Sequence, residues 1–318
     1  MWGFFPIRFE HPIAGWLNFT SASAVRRAVI AAAIMALLSQ VGSAQPPKKP
    51  TFEDKELITK DDFKLKITYF KSTAGKEAPV AILLHGKRGN RLLWKGFATD
   101  LQQKGDFAVI TVDLRGHGES PLPKKGELKK SDFQAMVGFD MEAVKDFLFD
   151  EHMKGNLNMN KLGIVACDFS ASVALLYTEL DWEKIPHDDS PSLSEKTPRG
   201  QDVQALALIS PDATIPGLMA NKAVTAVRLL RRPVMIGVAE KNQHDATIAH
   251  KMFEQLTSKK DKEAEEHLYY EKYEGELRGM DLVTQNAKVR GHIFAFLNKH
   301  VKEFKSEWRD RRSRLDRE

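Results

Sequence analysis

A chain of 318 residues, 42% of them hydrophobic, is long enough for one large domain or two small ones and apolar enough for a substantial core. Its formal charge of +5 comes from lysines interleaved with acidic residues, not from a basic stripe studded with aromatics, which argues against a nucleic-acid-binding surface. One cysteine, Cys167, excludes an internal disulfide, so the fold must rest on core burial, with Cys167 itself a small packed hydrophobe.

The N-terminus reads as an address. Arg26-Arg27 is a positive region, residues 28–38 are an apolar run too short for a membrane span, and Gly42-Ser43-Ala44 offers small residues for cleavage after Ala44. Residues 1–44 are therefore expected to be a signal peptide, with 25–44 its core and Val25 an alternative bacterial start; a membrane-anchoring helix is the competing reading. Residues 45–50, QPPKKP, read as a linker. The mature chain is expected to be periplasmic or secreted, with no stable membrane span.

Residues 51–59 and 62–70 are β-prone runs split by Lys60-Asp61-Asp62, and Phe63, Leu65, Ile67 and Tyr69 alternate with polar residues as in an antiparallel hairpin. PVAILL at 79–84 is a buried strand ending in the glycine-rich stretch His85-Gly86-Lys87-Arg88-Gly89-Asn90, before a helix over 92–104. The strand at 107–112 runs into DLRGHGES at 113–120, and the spacing of Phe133, Met136, Val137, Met141, Val144, Phe147 and Leu148 predicts one long helix over 133–153. Residues 162–176, LGIVACDFSASVALL, pass from a buried strand through a sharp turn into a helix.

Residues 181–201 are polar and proline-bearing, a surface loop or small cap insertion. Buried strands follow at 203–209 and 233–239, then a helix over 245–258, a last strand at 267–273 and a closing helix over 289–300. Asp245 is expected to cap the helix it begins. Residues 303–318 mix both charge signs and read as a solvated helix extension, with a partner-binding tail as the second reading. Alternating strands and helices with one core predict an α/β domain over 51–302, a mostly parallel central sheet with helices on both faces and a small or absent cap. No His, Cys or carboxylate cluster has metal-ligand spacing, and no cofactor motif is present.

Three motifs give this order a resemblance to the α/β-hydrolase superfamily: His85-Gly86 after a buried strand, DLRGHGES at 113–120, and the strand–turn–helix of 162–176, which resembles a nucleophile elbow. The resemblance implies an oxyanion hole at the backbone of Lys87 and Phe169, and a structural role for the loop that carries His117 and Ser120. It places a nucleophile, an acid and a base at three strand ends. The nucleophile position, in the frame Ala166-Cys167-Asp168-Phe169-Ser170, holds Asp168; the acid position holds Asn242; the base position, in GELRG, holds Arg278.

All three depart from Ser, Asp and His. Arg278 cannot act as a base at physiological pH, and Asn242 has no charge to stabilise an imidazolium. Asp168 has the chemistry of the nucleophile in dehalogenase and epoxide-hydrolase branches, but those still need a His to hydrolyse the ester intermediate. The expectation is an Asp168–Arg278 ion pair with Asn242 accepting a hydrogen bond from Arg278. Asp212, in a turn, and His244, beside the acid position, are secondary candidates for the cleft. The chain then reads as an exported, catalytically inactive hydrolase-fold protein that binds a small molecule or a protein partner. The alternative is an active hydrolase, esterase-like or using Asp168 as nucleophile, with a rearranged triad.

Overall fold

The structure is a computed structural model that describes residues 51–122, 126–212, 214–257 and 266–317. The expected signal peptide at 1–44 and linker at 45–50 lie outside the described residues.

The hairpin forms as its alternation predicts: β1 (Phe52–Ile58) pairs antiparallel with β2 (Lys64–Phe70). The continuous apolar runs become β3 (Val80–Leu84), β4 (Ala108–Asp113), β5 (Leu162–Cys167), β6 (Val203–Ile209) and β7 (Val234–Ala239), all of them buried throughout. Such strands carry no polar face because helices cover both sides. With the edge strand β8 (Leu268–Tyr273) they make one sheet in the order β1-β2-β4-β3-β5-β6-β7-β8, antiparallel at β1/β2 and β2/β4 and parallel elsewhere.

The sheet separates two cores. Val80, Ile82 and Leu84 point to one, and Ala81 and Leu83 to the other, because strand side chains alternate. The first face is covered by α3 (Met141–Met153), α4 (Ser170–Glu183), α5 (Ala220–Leu229) and α6 (Gln243–Leu256), through residues such as Val144, Val173, Val224 and Met252. The second is covered by α1 (Lys95–Gly105) and α8 (Ala287–Leu297), through Phe97, Leu101, Ile293 and Phe296. Cys167 packs in this second core, and burial pushes its thiol well up, leaving it an unreactive hydrophobe.

Several expectations are corrected. The helix expected over 133–153 is α2 (Lys130–Ala135), a π turn (Met136–Asp140) and α3. The wide turn presents Asp140, fully buried, to Arg115, whose guanidinium donates to it from Nε at 2.9 Å and also reaches Asp61. The loop 184–202 joins the end of α4 to the start of β6, so it lies at the amino edge of the sheet and is not a cap over the carboxyl edge. The tail is not a helix extension. After a second π turn (Asn298–Lys302) it runs irregularly: Trp308 stacks on His152 with ring centroids 4.9 Å apart, and buried Arg311 forks onto buried Asp202. Two helices, α5 and α7 (Gly279–Gln285), were not expected from the sequence.

Candidate functional site

Strand register brings five loops to one edge. Leu84 pairs with Ala166, Cys167 with Ile209, and Ala239 with Tyr273. β3 lies between β4 and β5, so the direction of chain progress across the sheet reverses there, and a crevice opens outside the carboxyl ends. Into it come His85–Asn90 after β3, Asp168 after β5, Ser210–Asp212 after β6, the start of α6 after β7, and Arg278-Gly279 after β8.

Asp168 sits in the sharp turn between β5 and α4 with φ +51°, a left-handed conformation rare for a residue with a side chain. The turn is tied down by Asp168 N–H donating to Ile209 O at 3.0 Å, and by Ser170 Oγ, which accepts from Cys167 N–H and donates to Cys167 O. Ser170 is therefore a buried strut. The Asp168 carboxylate lies in a cradle of two glycines: a Cβ on Gly86 would stand 1.9 Å from Oδ2, and one on Gly279 2.3 Å from Oδ1. Gly279 also has φ +51° and donates its N–H to Ser210 Oγ at 3.0 Å.

The backbone N–H of Lys87 donates to Asp168 Oδ2 at 3.3 Å. This is the N–H at which the resemblance to the hydrolase family leads one to expect an oxyanion-hole donor. Asp168 Oδ1 faces Arg278 Nη2 at 3.3 Å but makes no hydrogen bond, although the residue is only 9% exposed. The guanidinium is shared with two further carboxylates: Nη2 lies 2.8 Å from Asp212 Oδ1 and Nε 3.1 Å from Asp245 Oδ2. The ion pair expected from the sequence is thus present, within a cluster of three carboxylates around one cation.

Asn242 makes no hydrogen bond to Arg278 among the described residues. Its Oδ1 caps α6, accepting from Asp245 N–H at 3.1 Å, and its Nδ2 donates to Asp245 Oδ2 at 3.3 Å. The carboxylate presented from this loop is Asp245, nearly buried, and not the helix cap. Asp212 is in the cleft. His244 is exposed, and among the described residues no hydrogen bond or ion pair joins it to Asp168.

Burial pushes the Asp168 carboxyl up to about 6, and the Asp212 and Asp245 charges add to it, against the pull of Arg278 and the Lys87 N–H. Asp245 is raised by burial as well. Arg278 is held above its ordinary value against its own burial, by the Asp212 hydrogen bond and the Asp168 and Asp245 charges.

The imidazoles near the cleft are engaged elsewhere. His85 is buried: Nδ1 lies 2.8 Å from Gly86 O, Nε2 accepts from Leu114 N–H, and burial lowers its pKa to about 4. His117 stacks on the Phe169 ring at 5.2 Å and is lowered by burial. The 113–120 loop is a structural knot: Asp113 accepts from Arg91 N–H and Glu119 N–H, and Ser120 Oγ accepts from Lys66 N–H.

The crevice has two arms that meet at Lys87. One, about 350 Å³, runs past Gly86, Arg88, Leu93, Asp168, Arg278 and Met280. The other, about 460 Å³, is more apolar, with Leu128, Phe133, Phe169, Ile215 and His117 as walls and Asp212 at its edge. Among the described residues no group of three or more His, Cys, Asp or Glu side chains is arranged to hold a metal ion, since the guanidinium occupies the centre of the carboxylate cluster.

A family model for the alpha/beta hydrolase fold matches residues 79–179, which span β3 through most of α4. The chain has the α/β-hydrolase fold. Solved hydrolases share it at low sequence identity. A dienelactone hydrolase of Anabaena variabilis superposes with TM-score 0.57 at 13% identity, covering 80% of this chain and 99% of that one. A fungal esterase of Rhizomucor miehei gives 0.54 at 17%, covering 93% and 94%. By sequence, the hydrolase-fold chain is 30% identical to mouse protein phosphatase methylesterase 1 over 98 residues, 31% of its own length. The chain spans about a quarter of the length of this relative and of its bovine counterpart. No helix among the described residues is long and apolar enough to cross a membrane.

Proposed function

We propose that this protein is an exported, non-catalytic member of the hydrolase fold whose cleft binds a ligand without turning it over. The observation that carries the reading is the position of the Asp168 carboxylate, which accepts the Lys87 N–H and faces a guanidinium where a base would stand. A hydrolytic step needs a free donor for the developing oxyanion and a group able to accept a proton near neutrality. The Lys87 donor is engaged by Asp168, and Arg278 stays protonated. An Asp168 nucleophile would need an imidazole to activate water for release of its ester, and among the described residues none contacts it.

A ligand would place its apolar part against Phe133, Phe169 and Ile215 and its polar end at the Lys87 junction between the two arms. The similarity to a methylesterase makes methyl esters the first compounds to test. Export rests on the arginine pair and short apolar run before Ala44.

The test is restoration. Asp245 and Asp212 already face residue 278, so Asp168→Ser with Arg278→His would rebuild a nucleophile, a base and a carboxylate. The double variant is expected to gain labelling by a serine-directed fluorophosphonate and slow turnover of p-nitrophenyl acetate. Labelling of the unaltered protein within residues 162–176, or release of more than one equivalent of halide or diol from a haloalkane or epoxide, would overturn the proposal.

A further inference from the structure

At the opposite, amino edge of the sheet lies a second cavity of about 370 Å³, formed where the end of α4, the start of β6, the residues before β7 and the C-terminal tail converge. Its charged lining residues are Arg232, Lys305, Arg309 and Arg311, and no carboxylate lines it. Arg311 is neutralised from behind by Asp202. The other three have no acidic partner among the described residues. Glu303 and Glu307 neighbour them in sequence but do not line the cavity.

Arg232 is the informative residue. It is half-buried just before β7, and its guanidinium lies over the Trp182 ring at 4.6 Å. Nε donates to Leu230 O and Nη1 to Gln204 Oε1, both at 2.9 Å. Burial alone lowers its pKa, with no compensating anion. A half-desolvated cation costs free energy unless something pairs with it, and the stacked plane fixes its remaining donors in one direction.

The walls are set in advance. Trp182 Nε1 donates to Val203 O at 2.8 Å, Gln204 Nε2 to Gln201 O at 2.9 Å, and Arg311 Nε to Pro198 O at 3.1 Å. The tail is held by Asn158 Nδ2 donating to Ser306 O and by His152 Nε2 against Arg309 O. Arg309 and Lys305 are exposed and hang over the opening.

We infer that this cavity is a binding site for a small phosphorylated compound, its phosphoryl group held by Arg232, Lys305 and Arg309 and its organic part against Trp182 and Phe304. Three cations lining one cavity suit a dianion better than a carboxylate, and guanidinium forks match phosphoryl oxygens. The volume admits a phosphoryl group with a modest organic substituent. The site is independent of the cleft at Asp168.

The experiment is calorimetric titration of the full chain with inorganic pyrophosphate at constant ionic strength and neutral pH. Saturable binding is expected, weakened roughly tenfold by Lys305→Gln with Arg309→Gln and lost with Arg232→Gln. Lys305 and Arg309 make no side-chain hydrogen bond among the described residues, so their double variant tests the site without disturbing the fold. Lys251→Gln with Lys288→Gln removes the same charge elsewhere and should leave binding unchanged. No saturable heat, or equal weakening by both double variants, would overturn the assignment.

Discussion

The backbone N–H of Lys87 donates to the side-chain carboxylate of Asp168 at 3.3 Å. This one bond joins the two loops that flank the sheet's reversal point. On the proposed reading that N–H is a donor a reacting carbonyl would need; on the other side of the carboxylate, Arg278 draws in Asp168, Asp212 and Asp245 together.

The raised Asp168 carboxyl has a pH signature. Its folded value is about 6 and its ordinary value 3.8, so the native state binds this proton more tightly than the unfolded chain. The group's contribution is therefore favourable below about pH 4 and is lost as pH rises through about 6. Asp168→Asn does not titrate there. Its stability relative to the parent should rise by about 2–3 kcal/mol between acidic and neutral pH, read from urea melts. A difference that stays flat would contradict the burial of this carboxyl.

The glycine cradle predicts a coupled pair. Gly86→Ala forces a methyl group into the Asp168 carboxylate and should cost about 1–3 kcal/mol. In an Asp168→Ala background most of that cost should vanish, because the carboxyl group is gone and only the Cβ contact at 3.4 Å remains. A double-mutant cycle measures the interaction directly, and additivity within about 0.5 kcal/mol would rule out the contact.

Arg278→Gln leaves three carboxylates facing one another. The side chain is 44% exposed, so solvent screens part of the effect, and a loss of about 1–3 kcal/mol at alkaline pH is expected. At acid pH Asp168 takes up its proton and the loss should shrink. Thermal melts at both pH values check this.

Arg311→Met, in the tail, should be more costly, at about 3–5 kcal/mol. It strands Asp202, fully buried, with Lys145 as its remaining cationic partner. Deleting 303–318 should cost at least as much by the same measurement.

The fold was legible because the strands at 79–84, 162–167 and 203–209 are apolar throughout and end in glycine-rich or sharply turning loops. The pairing of Asp168 with Arg278 was legible because an anion and a cation replace two groups that meet in the resembling family. The role of Asp245 was not. Asn242 lies in the expected acid register, but α6 needs a side-chain acceptor there, and the helix begins two residues earlier than its apolar spacing suggests. Asn242 followed three residues later by Asp245 is itself a helix-start signal and would have located that boundary. The docked tail was illegible for a different reason. Local sequence shows Arg311 as one charge among many, and only the long-range contact with Asp202 distinguishes it. The π turn in the long helix likewise serves Asp140, whose partner Arg115 is remote in sequence.

The most direct test of the central claim is steady-state release of methanol or p-nitrophenol from methyl and p-nitrophenyl esters by the purified full chain, beside its Asp168→Ala variant. The arrangement of Asp168 on the Lys87 N–H and Arg278 predicts no turnover above that of the variant. Turnover that disappears with Asp168 would show a working nucleophile and contradict it.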